Sequence, residues 1–242
     1  MNKRYWEIDF LRGIAIIMMI IFHFLWYFNY FYNSGIPLWT GFWKFFQVTA
    51  ASLFLLLVGV SLTISKINKE ADFIKYLKSS IKILLFSLII TMMSMVVFPS
   101  HFVIFGILHL IGVSIILAYL FRRFEYLNLF IGIIFVIFGN ILKNQTVNFD
   151  WLLIFGLHST KFHSVDYFPI FPWFGIILIG MFLGKMLYSA DKRKFELNSE
   201  LAGSSKSLFA ESLCFLGKNS LIIYPLHLIV IYSLFFSMKL LF

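Results

Sequence analysis

The sequence predicts an all-α integral membrane protein, a bundle of about seven transmembrane helices with its N-terminus in the cytoplasm and its C-terminus outside. A composition that is 61% hydrophobic and 13% charged would leave apolar surface exposed on a soluble domain of 242 residues. The chain also contains about seven apolar segments of ~17–26 residues, the length that a ~30 Å hydrocarbon core requires. The cationic residues, finally, cluster in alternate connections between these segments.

The first predicted span follows Asn2-Lys3-Arg4, as the apolar part of a signal peptide would. The run from Leu11 to Phe31 is longer than such a region and lacks a small-residue cleavage site, so we expect a retained helix. Taken in order, the predicted spans are 10–31, 42–65, 75–98, 102–121, 126–142, 168–188 and 216–240.

The positive-inside rule sets the orientation of these spans. With the N-terminus inside, 16 of the 20 Lys and Arg residues face the cytoplasm. The four that fall outside are Lys44, Lys143, Lys161 and Lys239. The net charge of +9 is thereby explained by membrane topology, and we expect no nucleic-acid partner.

Two longer connections interrupt the spans. The outer one, Lys143 to Phe168, contains the apolar segment Trp151–Leu157, which is too short to cross and either dips into the interface or covers a cavity from outside. The inner one, Ser189 to Glu211, has the mixed polar composition of a flexible linker. No second domain is indicated, so residues 1–242 are read as one, and the single Cys214 excludes an intrachain disulfide.

Three polar residues in the first span are the main candidate site. Asp9 and Arg12 are i,i+3 neighbours on one helix face, and His23 returns to that face roughly 16 Å further along the helix. Ionisable groups at membrane depth are costly and normally face a bundle interior or a wet cavity. We therefore predict that this stripe is functional, with a cavity between the first, fourth and seventh spans.

Two further histidines, His109 in the fourth span and His227 in the seventh, fall at similar depth. Each of the three alone could be an interhelical hydrogen-bond anchor. A pair of histidines could instead ligate haem, but no helix carries the second histidine that stacked haem sites need. We expect neither haem nor a metal.

An uncharged imidazole can take a proton from a hydroxyl or amine near neutral pH, because its reference pKa is ~6.5. Here a histidine lies deep in the membrane above an Asp–Arg pair, and cationic loops flank the cytoplasmic opening. This arrangement suits acyl transfer from an anionic thioester carrier. The glycines near His109 and in the sixth span are expected to be packing faces; they are Gly106, Gly112, Gly175, Gly180 and Gly184.

Four motifs resemble the heparan-alpha-glucosaminide N-acetyltransferase-like family of transmembrane acyltransferases, and the first is also similar to the start of acyltransferase type 3 proteins. The first-span and last-span motifs are the specific ones. The matching segments are Glu7-Ile-Asp9-Phe-Leu-Arg12-Gly-Ile-Ala, Ser52-Leu-Phe-Leu-Leu-Leu-Val-Gly59, Phe105-Gly-Ile-Leu-His109-Leu-Ile-Gly112 and Gly217-Lys-Asn219-Ser220-Leu-Ile-Ile-Tyr224-Pro-Leu-His227.

The resemblance implies transfer of an acetyl group from cytoplasmic acetyl-CoA to an acceptor, often a sugar, across the cell membrane. Larger members carry Asn where this chain has His23, and their catalytic His lies where this chain has Asn33 and Ser34. We therefore assign the general base to His23, as in the type 3 proteins, and do not carry over the heparan substrate. In this assignment His23, Asp9 and Arg12 are catalytic; His109, Asn219, Tyr224, His227, Trp173 and Asp166 contact the substrate; and Arg12, Lys78 and Lys82 hold acetyl-CoA.

The expected partners are the lipid bilayer, acetyl-CoA and a glycan or glycolipid acceptor, and a homo-oligomer is compatible with the sequence. Two other functions fit the same residues: a transporter or flippase for a polar solute or lipid-linked sugar, and an assembly subunit whose polar groups only hold helices together. The residues are equally compatible with an acetyl-histidine intermediate and with a ternary complex.

Overall fold

The computed structural model of the chain describes residues 5–67, 73–189, 192–193 and 207–241, and these form eight α-helices. A 3-10 turn, Leu153–Phe155, lies between the fifth and sixth helices, and the two-residue strands β1 (Tyr188–Ser189) and β2 (Lys192–Arg193) pair antiparallel. The helices are α1 Trp6–Tyr32, α2 Gly41–Ile67, α3 Phe73–Val97, α4 Ile107–Phe121, α5 Leu127–Leu142, α6 Ile170–Leu187, α7 Leu208–Lys218 and α8 Ser220–Leu241.

Five of the eight described helices have the length and composition of membrane spans. Within the described residues, α1, α2, α3, α6 and α8 are each long and apolar enough to cross a membrane, whereas the apolar helices α4 and α5 have 15 and 16 residues. The prediction of a helical membrane protein is confirmed. The count of seven spans and their orientation stay predictions.

Polar and apolar side chains are arranged as a lipid environment requires. On α5, Phe130, Ile134 and Ile137 expose more than half of their surface along one face. On α3, by contrast, Ser80 and Ser87 are almost completely buried. Small polar residues inside and large apolar residues outside are typical of membrane helices, because lipid tails solvate the apolar face.

The chain divides into two compact units. The first unit comprises Met1–Phe54 and Glu196–Phe242, and the second comprises Leu55–Phe195. The inner linker predicted over residues 189–211 lies mostly outside the described residues. The assignment of residues 1–242 to a single domain stays a prediction.

The predicted seventh span, 216–240, differs from the structure because two helices meet inside it. Asn219 ends α7, where its side-chain amide donates to the carbonyl of Phe215 at 2.9 Å. Its own carbonyl then accepts the N–H groups of Ile222 and Ile223, each at 3.0 Å, which begins α8. The break follows from these local hydrogen bonds, since an Asn side chain competes for backbone groups.

In the first unit, α7 packs directly on α1 through two glycines. A Cβ atom on Gly217 would overlap the backbone carbonyl oxygen of Asp9, and one on Gly13 would overlap that of Leu213. Small residues at such contacts let helix backbones approach closely. The close approach fixes Asp9, and thus the polar stripe of α1, against α7.

We expect Gly217→Ala to destabilise the protein by about 1–3 kcal/mol, because the added methyl group forces α1 and α7 apart. The measurement is the thermal unfolding midpoint of the purified protein in detergent. Ser212→Ala, an exposed position on the same helix, is the control and should leave the midpoint unchanged. Equal midpoints for the two variants would contradict the contact.

The glycines of α6 have the same role in the second unit. Gly175 faces the backbone of Gly132 on α5, whereas Gly180 and Gly184 face α2. This confirms the prediction that these three glycines form packing faces. They hold α6 against α5 near its start and against α2 in its second half, where Gly184 precedes Lys185.

Candidate active site

His23 of α1 and His227 of α8 are joined in the first unit by a hydrogen bond of 2.7 Å between His23 Nδ1 and His227 Nε2. The ring planes are only 18° apart, and the ring centres are 5.0 Å apart. This separation is close to the 2.7 Å between the two nitrogens plus the distance from each nitrogen to the centre of its own ring. The imidazoles therefore meet edge to edge in one plane, which is the arrangement of a direct hydrogen bond and not of a face-to-face stack.

A backbone carbonyl determines which nitrogens of this pair carry protons. His227 Nδ1 lies 3.1 Å from the carbonyl oxygen of Ile223, which can only accept, so Nδ1 donates. In neutral His227 the other nitrogen, Nε2, then has a lone pair and must accept from His23 Nδ1–H. The Nε2 atom of neutral His23 is left as an unprotonated base, and the described residues supply it with no hydrogen-bond donor.

Tyr224 and Asn219, two further predicted site residues, lie on the same helix pair. The Tyr224 side chain is buried, with its ring at 6.4 Å from the ring of His23 and 5.5 Å from that of His227. Asn219 forms the junction of α7 and α8, as described above. The structure thus places Tyr224 beside the histidine pair and gives Asn219 a helix-terminating role.

Asp9 and Arg12 are in contact, as their i,i+3 spacing predicts. The guanidinium Nη1 lies 3.5 Å from Asp9 Oδ1, and the Asp9 side chain is almost fully buried. The other carboxylate oxygen, Oδ2, is buried without a hydrogen-bond partner among the described residues. Because a buried carboxylate without full pairing is unfavourable, Asp9 depends on Arg12 for charge compensation.

In the second unit, His109 uses both ring nitrogens within its own surroundings. The N–H of Gly106 donates to His109 Nδ1 at 3.3 Å, so Nε2 carries the proton and faces Thr91 Oγ1 at 3.4 Å. The side chain thereby satisfies an amide that the first turn of α4 leaves without a partner. The assignment of His109 to the substrate site stays a prediction.

Asp166 binds the start of the same helix from the outer connection. Its Oδ2 accepts the N–H of Ile107 at 3.1 Å, and a side chain on Gly106 would overlap that oxygen. Burial raises the pKa of Asp166 to about 6 from its ordinary 3.8, although the hydrogen bond from Ile107 acts in the opposite direction.

This pKa predicts a pH dependence of stability. Between pH 3.8 and about pH 6, Asp166 binds more protons in the folded protein than in the unfolded chain. The free energy of unfolding therefore falls as the pH rises through that range, and it levels off above it. The free energy of unfolding falls by on the order of 1–3 kcal/mol across this range. We expect Asp166→Asn to abolish this decline in thermal unfolding scans from acid to neutral pH.

Asp150→Asn is the matched control in the same connection. The exposed carboxylate of Asp150 accepts hydrogen bonds from Ser159, which lower its pKa, so its contribution is lost on acidification and has the opposite sign. A decline that persists in Asp166→Asn and disappears in Asp150→Asn would show that the wrong carboxylate was assigned.

The remaining predicted site residues also lie in the second unit. Trp173 packs on Phe168 with ring centres 4.7 Å apart, near the start of α6. Lys78 and Lys82 are exposed, one turn apart on α3. Across the described part of the chain no cluster of three His, Cys, Asp or Glu residues could hold a metal ion.

Comparison with known protein families identifies one matching model. Residues 4–229 match the family described as heparan-alpha-glucosaminide N-acetyltransferase, catalytic. The chain belongs to this family. The heparan-alpha-glucosaminide N-acetyltransferase family implies acetyltransferase activity, and the match includes α1 with His23 and the part of α8 that carries His227. Neither the curated proteins nor the solved structures gave a match.

Proposed function

We propose that the protein transfers an acetyl group from cytoplasmic acetyl-CoA to a hydroxyl or amine of a glycan or glycolipid on the outer side of the cell membrane. The hydrogen bond between His23 and His227 carries this proposal, because it leaves Nε2 of His23 as a base. Family membership supports acetyl transfer as the reaction.

The proposed reaction moves one proton and exchanges one bond. Nε2 of His23 takes the proton from the acceptor hydroxyl or amine as its oxygen or nitrogen attacks the thioester carbonyl. The new bond to the acetyl carbon forms, the carbon–sulfur bond breaks, and the proton passes from His23 to the leaving thiolate. The positive charge that His23 gains in between is shared through its Nδ1–H bond to His227, whose own Nδ1–H faces the Ile223 carbonyl.

The proposal includes seven crossings with the N-terminus inside. Helices α4 and α5 are shorter than a typical span, but the bilayer can thin and flanking residues can snorkel at modest cost. In the second unit Lys185, near the end of α6, contacts Glu125 in the turn between α4 and α5, so Lys185 lies at the same end as Arg122 and Arg123 of that turn. This grouping agrees with the positive-inside rule.

Arg12 of the first unit is proposed to bind the anionic part of acetyl-CoA, and the assignment of Lys78 and Lys82 in the second unit to this ligand stays a prediction. A guanidinium recognises phosphate through several donors, and its contact with Asp9 fixes one side of it. Asp9 is thus a positioning residue in this proposal.

Purified protein in proteoliposomes tests the reaction. Acetyl-CoA labelled in the acetyl group is supplied on one side of the vesicles and a glycolipid fraction on the other, and label in the lipid is counted. Incorporation that requires the protein supports the proposal. Absence of label, with protein-dependent flux of a polar solute when no acetyl-CoA is present, would favour a transporter.

A further inference from the structure

A cavity of about 190 Å³, lined by both apolar and charged side chains, lies inside the second unit, at the end where α2 and α6 finish and α3 and α5 begin. The polar part of its lining comes from Thr63, Tyr76, Arg122, Glu125, Asn128 and Lys185. This is the end that the positive-inside rule assigns to the cytoplasm. None of these residues has a part in the proposed transfer step.

The two cations of the cavity are held in place before any ligand binds. The guanidinium of Arg122 lies 3.6 Å above the ring of Tyr119, whose edge contacts Tyr76. The ammonium of Lys185 donates to Glu125 at 2.9 Å. Glu125 has a positive φ of 40°, an uncommon conformation for a residue other than glycine, and this turn directs its carboxylate to Lys185.

The side chain of Asn128 has a buried oxygen that accepts no hydrogen bond from the described residues. Its side chain is 2% exposed, and its amide nitrogen donates to the Phe121 carbonyl at 3.2 Å, which fixes the orientation of the amide. The amide oxygen, Oδ1, is buried and has no hydrogen-bond partner among the described residues. Buried acceptors are normally satisfied, so a donor group in the cavity is expected.

We infer that this cavity binds a phosphate ester that carries a hydroxyl, amide or ammonium donor beside the phosphate. Arg122, with Lys185 beside it, recognises the anion, and Asn128 Oδ1 accepts from the neighbouring donor. The volume is below the roughly 300–1,000 Å³ of pockets that enclose drug-sized ligands, so one headgroup-sized fragment enters. Both a phospholipid headgroup and the phosphopantetheine part of coenzyme A have this chemistry.

Native mass spectrometry of the full-length protein, released from detergent, tests the inference. Short-chain phosphatidylglycerol and coenzyme A are titrated in separate arms. Arg122→Gln is compared with Arg123→Gln, which removes the same charge from an exposed neighbour. We expect Arg122→Gln to weaken the binding of one of the two ligands by about 10–100-fold. Arg123→Gln should change the affinity for the same ligand by less than about threefold.

A selective loss in the phosphatidylglycerol arm identifies a lipid site, and a selective loss in the coenzyme arm identifies a coenzyme site. Either result supports the inference, and neither requires acetyl transfer to occur. Equal effects of the two arginine variants, or no complex with either ligand in the wild type, would overturn it. If Arg122→Gln does not fold, Asn128→Leu keeps every charge and should still weaken the complex by about three- to tenfold; unchanged binding there would also overturn it.

Discussion

Replacing His23 with glutamine is expected to lower the rate of acetyl transfer by about 10²–10⁴-fold. Glutamine is an uncharged polar side chain of similar length, so it fills the same space between α1 and α8. An amide does not accept a proton from an attacking hydroxyl or amine, so the base is lost while the packing remains. The measurement is the initial rate of label transfer from acetyl-CoA in proteoliposomes.

His163→Gln serves as the matched control for this substitution. His163 is exposed in the outer connection of the second unit, where its ring contacts that of His101. The control should transfer at the wild-type rate. A His23→Gln protein that has the wild-type unfolding midpoint and also transfers at close to the wild-type rate would remove the base from the mechanism.

The sequence predicted the helical membrane fold because that prediction depends on composition and on local runs of apolar residues. The contact between Asp9 and Arg12 was predictable for the same reason, since i,i+3 neighbours on a helix are close whatever surrounds them. The close approach of Asp9 to Gly217 was not predictable. It depends on the packing of two helices that are distant in the chain.

The roles of the histidines could be predicted only in part. The depth of His227 in its span predicts a polar role. Its bond to His23 depends on the packing of α1 against α8, and its tautomer depends on the Ile223 carbonyl, and no sequence pattern reports either. The same criterion predicts a site role for His109, yet its side chain accepts a hydrogen bond from the amide of Gly106 three residues earlier. Its position in the first turn of α4 is the signal that could have indicated this local bond.

The second large effect is expected at His227, which holds His23 in one tautomer. His227→Leu removes the acceptor that keeps the proton of His23 on Nδ1, so the base can adopt the unproductive tautomer and orientation. We expect kcat to fall by about 10²-fold. In this positioning role His227 acts on the substrate through His23, so the value of KM should change little. A rise in KM would instead indicate the direct substrate contact that the sequence analysis assigns to His227. Both constants are measured with acetyl-CoA at a saturating acceptor concentration.

His227→Gln distinguishes this positioning role from simple packing. The glutamine Oε1 can lie near the place of the imidazole Nε2 and accept from His23 Nδ1–H, so kcat should recover to within about tenfold of the wild type. Leucine fills the buried space with an apolar side chain, so a packing role predicts that leucine is tolerated at least as well as glutamine. Activity that is higher in His227→Leu than in His227→Gln would therefore contradict a proton relay through His227. The opposite order would tie the transfer rate to the hydrogen bond itself.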